Sequence, residues 1–288
     1  MTDIDRAGTF AFGDRSVRRM GYGAMQLAGP HVFGPPRDRA GAIAVLRRAV
    51  EAGVNHIDTS DYYGPFVVNE IIREALYPYP DNLALVSKIG AVRGDGGSWL
   101  PAMSKEQLTQ AVHDNLKRLG VDQLHAVNLR SMFSPMGPAE GSLDVALEVL
   151  ADLQRQGLVR HVGLSNVTPK QVADGRAMCT IACVQNHYNL VQRGDDAMID
   201  ELGAAGIAYV PFFPLGGFSP LQSDALSAVA AGLGATPMQV ALAWLLRRAP
   251  HILLIPGTSS PGHLEENLAA ASLDLPDGAM TALDAIGA

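Results

Sequence analysis

Gly21-Tyr22-Gly23-Ala24-Met25-Gln26 decides between the two folds open to this chain. The stretch closes an early strand-like segment, residues 20–23. A doubly wound dinucleotide-binding sheet would place a G-x-G-x-x-G turn here, its third glycine allowing close helix packing. Position 26 is glutamine, so the third glycine is missing. The reading therefore falls on the other architecture built from alternating strands and helices, a closed (β/α)8 TIM barrel of the α/β class.

The rest of the chain supports that choice. Strand-like stretches at 20–23, 55–58, 83–88, 126–130, 161–164, 183–186, 208–212 and 252–255 alternate with amphipathic runs. The clearest runs are 39–52, 104–119, 143–156, 195–205 and 237–248, with apolar residues near i, i+3 and i+4. Residues 9–18 read as a short N-terminal β-hairpin turning at Gly13-Asp14. Ser104 and Gln107 have capping-box spacing, and Thr236-Pro237 reads as N-cap then N1. Gly120, Gly157 and Gly206 stand just past helix ends. No linker or composition break divides the chain, so residues 1–288 are expected to form one barrel domain. The Gly/Pro-rich stretches 28–36, 90–101 and 130–141 follow strand ends and should form loops on the C-terminal rim, where barrel enzymes keep their chemistry.

Composition narrows the function. Of 288 residues, 48% are hydrophobic, enough for a sizeable core. No run of eighteen apolar residues is present, so no membrane span is expected. The acidic start, Met1-Thr2-Asp3-Ile4-Asp5, lacks a signal-peptide apolar region. Cys179 and Cys183 are not spaced as a C-x-x-C pair, which suggests core packing in a reducing cytoplasm. A net charge of -7 argues against nucleic acid as a partner. It leaves room for an anionic cofactor held by backbone N–H groups. No His/Cys/carboxylate set shows metal spacing, so no metal is expected. His56, His125 and His161 read as packing or surface residues. No G-x-S-x-G elbow appears.

The chemistry gathers around Ile57-Asp58-Thr59-Ser60-Asp61-Tyr62-Tyr63-Gly64. Asp58 ends a strand, Tyr63 follows in the loop, and Lys88 ends the next strand. An inward lysine in a barrel strand needs a partner. An ammonium near a phenol favours the phenolate, and a carboxylate would hold that ammonium in place. Such a phenol can give a proton to a carbonyl oxygen as hydride reaches carbon.

These residues resemble the aldo-keto reductases. The resemblance runs through Gly53-Val54-Asn55-His56-Ile57-Asp58-Thr59-Ser60 with Tyr63-Gly64, Ser87-Lys88, Gly163-Leu164-Ser165-Asn166 and Val184-Gln185-Asn186. It continues through Phe213-Pro214-Leu215-Gly216-Gly217 and Ile255-Pro256-Gly257-Thr258-Ser259. The segments 21–30 and 127–130 look closer still to a bacterial branch that contains an NADPH-dependent pyridoxal reductase.

The resemblance implies an NADP(H)-dependent reductase acting on a small-molecule carbonyl substrate. It implies Tyr63 as proton donor, with Asp58 and Lys88 tuning it. It places Ser165, Asn166 and Gln185 on the nicotinamide carboxamide and Phe212 against the ring. Pro214, Leu215, Gly216 and Gly217 match the loop around the pyrophosphate. Gly257, Thr258, Ser259, His263, Glu266 and Asn267 match the adenosine segment, and Gly23 and Met25 join the cofactor set. Phe213 is expected in the core.

Two departures from the family pattern stand out. Arg130 ends the fourth strand, where the family often has a histidine. It could polarise a carbonyl, hold an anionic group and lower the Tyr63 pKa, or turn away to Asp58 or Asp61. Asn128 shares its inward parity. The adenosine segment also lacks the Lys and Arg common in NADPH-preferring members, which leaves NADH open beside NADPH. The pocket should be lined by Met25, Tyr62, Trp99, Met132 and Phe133, with His31 nearby, suiting an aromatic aldehyde. Two other readings remain: a cofactor-binding subunit that senses redox state, and a lyase using Lys88 as a Schiff base.

Overall fold

The computed structural model describes residues 3–217 and 221–287. Strands β1 (Thr9–Phe12) and β2 (Arg15–Arg18) form the expected hairpin, with Phe12 paired to Arg15 across the turn. Gly13 at the turn has φ +62, a left-handed conformation that glycine adopts freely. Phe12 and Val17 are fully buried and pack with Ala84, Val86, Ala126, Cys183, Ala208 and Leu253 from the barrel interior. The hairpin is thus the floor of the barrel.

The barrel then runs β3 (Tyr22–Gly23), α1 (Arg39–Glu51), β4 (His56–Asp58), α2 (Val67–Leu76) and β5 (Ala84–Ile89). A small hairpin follows, β6 (Ala91–Arg93) and β7 (Trp99–Pro101), where composition suggested a loop. Next come α3 (Lys105–Leu119), β8 (Leu124–Arg130), α4 (Asp144–Arg155), β9 (Val159–Ser165) and α5 (Pro169–Met178). The chain ends with β10 (Ile181–Gln185), α6 (Asp196–Ala204), β11 (Ala208–Tyr209), α7 (Asp224–Leu233), α8 (Pro237–Arg248), α9 (Pro261–Ala269) and α10 (Asp277–Asp284).

The sheet is parallel, in the order β11-β10-β9-β8-β5-β4-β3. Residues 251–256 close it. Tyr209 N–H donates to the His251 carbonyl at 3.0 Å, Leu253 N–H to Tyr209 at 2.9 Å, and Gly21 N–H to Leu254 at 2.8 Å. The eighth strand is therefore present as bridges at Ile252 and Leu254 rather than a full ladder. The capping box expected at Ser104/Gln107 forms, and Thr236 is the N-cap with Pro237 at N1 as expected, its cap completed into a box by Gln239. Gly120, Gly157 and Gly206 take left-handed φ beyond their helices. No single helix among the described residues is long and apolar enough to cross a membrane.

Topology also joins residues that sequence spacing kept apart. Asp14, His125 and His161, which show no metal-binding spacing in the sequence, meet beneath the barrel. They come from a turn and two adjacent strands, so no sequence spacing reveals them.

Candidate active site

Strand register brings the predicted acid and base groups to one rim. Asp58 stands beside Val86, which places Lys88 one pleat further along β5. The Lys88 ammonium donates to Asp58 Oδ1 and to the Thr59 carbonyl, the latter at 3.2 Å. Both side chains are about 95% buried, with 5% and 4% exposure. A pair this dry holds only if its remaining lone pairs are satisfied. Gln185 supplies that partner from across the barrel, donating to Asp58 Oδ2 at 2.9 Å.

Tyr63 is buried beside this pair, with the Lys88 Nζ 5.3 Å from its ring centroid. No hydrogen bond joins the ammonium to the phenol. The expectation of an acidified phenol is corrected here. Burial, then the Asp58 charge, push the Tyr63 pKa above the ordinary phenol value, while Arg130 pulls it down. Tyr63 therefore keeps its proton, the state a general acid requires. Tyr62 packs edge-on to it at 5.4 Å and at the same distance to Trp99, forming an aromatic wall.

Arg130 turns toward neither Asp58 nor Asp61. Its guanidinium lies 5.4 Å from the Phe212 ring centroid and donates to the Pro135 carbonyl at 3.4 Å. Asp61 is taken instead by Arg118 at 2.6 Å. Phe212 stacks on His187, with 5.6 Å between centroids and 14° between planes. Phe213 is half-buried and left-handed at φ 55, so the core placement expected for it is not what the fold provides.

Two neighbouring strand ends, those of β9 and β10, carry buried polar atoms without partners. Among the described residues, Ser165 Oγ, Asn166 Oδ1 and Gln185 Oε1 accept or donate no hydrogen bond. The Asn166 amide nitrogen donates to the carbonyls of Ser131, Ser134 and Gly137, which leaves its buried oxygen as an acceptor without a partner among the described residues. Orphaned polar atoms cost free energy unless a ligand satisfies them. A primary amide offers two N–H donors and one acceptor. Two amide oxygens and one hydroxyl form the complementary set.

The remaining predicted cofactor residues divide. Gly216 and Gly217 have φ 93 and 73. A side chain on Gly217 would also strike the Phe213 ring at 2.6 Å. Pro214 is buried and Leu215 half-buried in the same loop. Gly23 and Gly257 have a packing reason of their own. A Cβ on Gly23 would meet the Ile255 carbonyl at 2.4 Å, and one on Gly257 the Gly23 carbonyl at 2.6 Å. Thr258 accepts from Ser260 N–H at 3.0 Å, and its carbonyl accepts from the Tyr22 hydroxyl at 2.6 Å. Ser260 caps α9, with Pro261 in the first turn. Ser259 and His263 are exposed, Met25 is half-buried and Asn267 is buried. Glu266 accepts from Thr236 at 2.5 Å, so its carboxylate is already engaged.

Sequence reasoning missed the support behind the rim. Asn69 on α2 donates to Asp61 at 3.2 Å and to Asn115 on α3 at 2.9 Å, and accepts from Thr59 at 2.8 Å. Asn115 also accepts from Ser87. This network pins the Asp58–Tyr63 loop to the helical shell. Its signal was two asparagines at buried positions of amphipathic helices. The open hollows on the shell, one rimmed by Glu70, Arg73 and Arg118 and one by Glu140, Lys170 and Asp174, hold no predicted site residue.

The aldo/keto reductase family model matches residues 19–288. The chain belongs to the aldo/keto reductase family. It is 66% identical over 281 residues to the pyridoxine 4-dehydrogenase of Escherichia coli (strain K12), covering 97% of this chain and 98% of that protein. It is 38% identical to an uncharacterized oxidoreductase of Schizosaccharomyces pombe, across 99% of this chain and 92% of the other. A thermostable aldo-keto reductase in complex with the inhibitor epalrestat superposes with TM-score 0.82 at 27% identity, covering 97% of this chain and 99% of that one. An aldo-keto reductase from Klebsiella pneumoniae in complex with NADPH gives 0.76 at 25% identity, with coverages of 96% and 94%. As an aldo/keto reductase the chain is an oxidoreductase, and the (β/α)8 barrel with its N-terminal hairpin is the architecture read from its alternating strands and helices.

Proposed function

We propose that this aldo/keto reductase reduces aldehydes to alcohols with NADP(H), and that its substrate is a small aromatic aldehyde of the pyridoxal type. The observation that carries this reading is the trio of unpartnered atoms, Ser165 Oγ, Asn166 Oδ1 and Gln185 Oε1, facing the rim that holds Asp58, Tyr63 and Lys88. They suit a carboxamide, and the bound nicotinamide would supply hydride to the carbonyl carbon. Phe212 offers a flat face beside them. The loop 214–217, whose glycines allow close backbone approach, would wrap the pyrophosphate. The capped start of α9, with Ser259 and His263 exposed beside it, would take the adenosine phosphate. Arg130 completes the substrate side as a charged donor near Tyr63.

The substrate class rests on the aromatic wall of Tyr62 and Trp99 and on the E. coli relative's name. The NADPH preference rests on the K. pneumoniae complex, since residues 257–267 contain no Lys or Arg. The test is a panel of aldehydes and ketones, pyridoxal included, assayed with NADPH and with NADH and scored by kcat/KM. The expected result is highest kcat/KM for an aromatic aldehyde with NADPH. Tight NADPH binding with no turnover of any carbonyl would favour the redox-sensing reading instead.

A further inference from the structure

We propose that Asp14, His125 and His161 form a divalent transition-metal site on the barrel floor, at the opposite strand ends from Asp58, Tyr63 and Lys88. Their ligand atoms lie within 4.8 Å of one another. His125 is the decisive member. Its Nε2 lies 3.2 Å from the Phe12 carbonyl, which can only accept, so Nε2 carries the hydrogen. That leaves Nδ1 as a bare lone pair. The side chain is 3% exposed, and Nδ1 has no hydrogen-bond partner among the described residues. It faces Asp14 Oδ1 at 3.9 Å. Two acceptors facing each other at that distance are satisfied by a cation between them. Two metal–ligand bonds of about 2.0–2.2 Å span roughly the same gap. A histidine oriented by a backbone carbonyl on its other nitrogen is the usual preparation of a metal ligand.

The other two members are shaped to the same point. His161 Nε2 is hydrogen-bonded to Asp14 Oδ1 at 2.8 Å and lies 3.3 Å from the Asp14 backbone nitrogen, so an ion here replaces the proton shared by Nε2 and Oδ1. The His161 ring sits edge-on to the His125 ring at 5.1 Å. The turn approaches this ring so closely that a Cβ on Gly13 would fall 2.2 Å from Nε2. Arg160 holds the other carboxylate oxygen, Asp14 Oδ2, at 2.7 Å, which leaves Oδ1 to the two imidazoles. Two imidazoles and one carboxylate suit Zn²⁺ and its first-row neighbours better than Mg²⁺ or Ca²⁺. Arg15 and Arg160 bring opposing charge, so binding should be weaker than at a closed structural zinc site. An ion here would tie the hairpin turn to β8 and β9 and stabilise the fold.

The test uses full-length protein without a polyhistidine tag, stripped by chelator and titrated with Zn²⁺ by calorimetry and thermal shift. One ion per chain should bind, raising the Tm by about 5 °C at a hundredfold excess over Kd. Asp14→Asn keeps a turn-compatible residue, and His161→Gln keeps a polar one. Each should weaken binding at least about tenfold. Arg160→Gln removes the ion pair but no ligand, and should bind Zn²⁺ at least as tightly as the parent. Absence of saturable binding overturns the site. So does binding that survives both ligand substitutions, or an Arg160→Gln loss matching that of Asp14→Asn.

Discussion

Gln185 Nε2 donates to Asp58 Oδ2 at 2.9 Å, so the carboxylate that grips Lys88 is itself held from the far side of the barrel. One glutamine thus joins two jobs. Its nitrogen supports the Asp58–Lys88 pair, and its oxygen is free at the rim. Gln185→Leu should remove both. A buried charge left short of a partner costs about 1–3 kcal/mol. The expected outcome is a kcat loss of about tenfold together with weaker NADPH binding, read by fluorescence quenching. Loss of affinity with unchanged kcat would show that Asp58 does not need the amide.

Tyr63 is held protonated by burial and by Asp58. Tyr63→Phe keeps the aromatic packing against Tyr62 and removes only the hydroxyl. Turnover should fall by about 10²–10⁴-fold, the usual worth of a general acid. NADPH affinity should stay within twofold or so, because the ring and not the hydroxyl packs the site. Full activity in this variant would remove Tyr63 from the chemistry.

How much of this was legible before the fold is clear from individual residues. Asp58, Lys88, Ser165 and Gln185 were readable because each ends an apolar strand, where a polar side chain must face a rim. Partner choice beyond the Asp58–Lys88 pair was not readable. Gln185 finds Asp58 across the barrel, and Arg118 rather than Arg130 finds Asp61, through distances that no sequence spacing encodes. The hairpin at β6 and β7 was hidden because its Gly-rich turn reads as loop. The floor cluster of Asp14, His125 and His161 was hidden because each residue alone looks like packing or surface. The eighth strand was legible in place but not in extent, since its pairing is limited to Ile252 and Leu254.

Arg130 stands where the family often has histidine, and its guanidinium faces Phe212 rather than a carboxylate. It is therefore available as a charged donor toward a carbonyl oxygen near Tyr63. Losing such a donor costs about 3 kcal/mol by comparison with oxyanion-hole deletions. Arg130→Met should lower kcat/KM by about a hundredfold while NADPH affinity holds. Arg130→His should recover part of the loss. A change in Tm alone, with kinetics intact, would make Arg130 a packing residue against Phe212.

The barrel interior also sets a pH limit on stability. His56 sits two residues before Asp58, fully buried, edge-on to Phe12 at 5.5 Å. Neither ring nitrogen has a partner among the described residues. Burial first, and the Lys88 charge second, hold its pKa down to about 4, against 6.5 when free. The folded protein therefore favours neutral His56. That stabilisation is complete above about pH 6.5 and is lost as pH falls toward 4. His125, pushed down to about 3 mainly by burial, acts in the same sense. Asp61 opposes them. Burial, set against the Arg118 charge, raises its pKa to about 6, so its contribution is lost as pH rises through that value. Burial also lowers the pKa of His187 and His251 and raises that of Asp195. Among the described residues the lowered histidines outnumber the raised carboxylates, so Tm should fall on acidification from pH 6.5 to 4. Each histidine contributes a slope of at most about 1.4 kcal/mol per pH unit. His56→Leu should flatten the fall measurably in thermal unfolding of metal-free protein. An unchanged slope in that variant would mean that His56 stays neutral in both the folded and unfolded chain across this window.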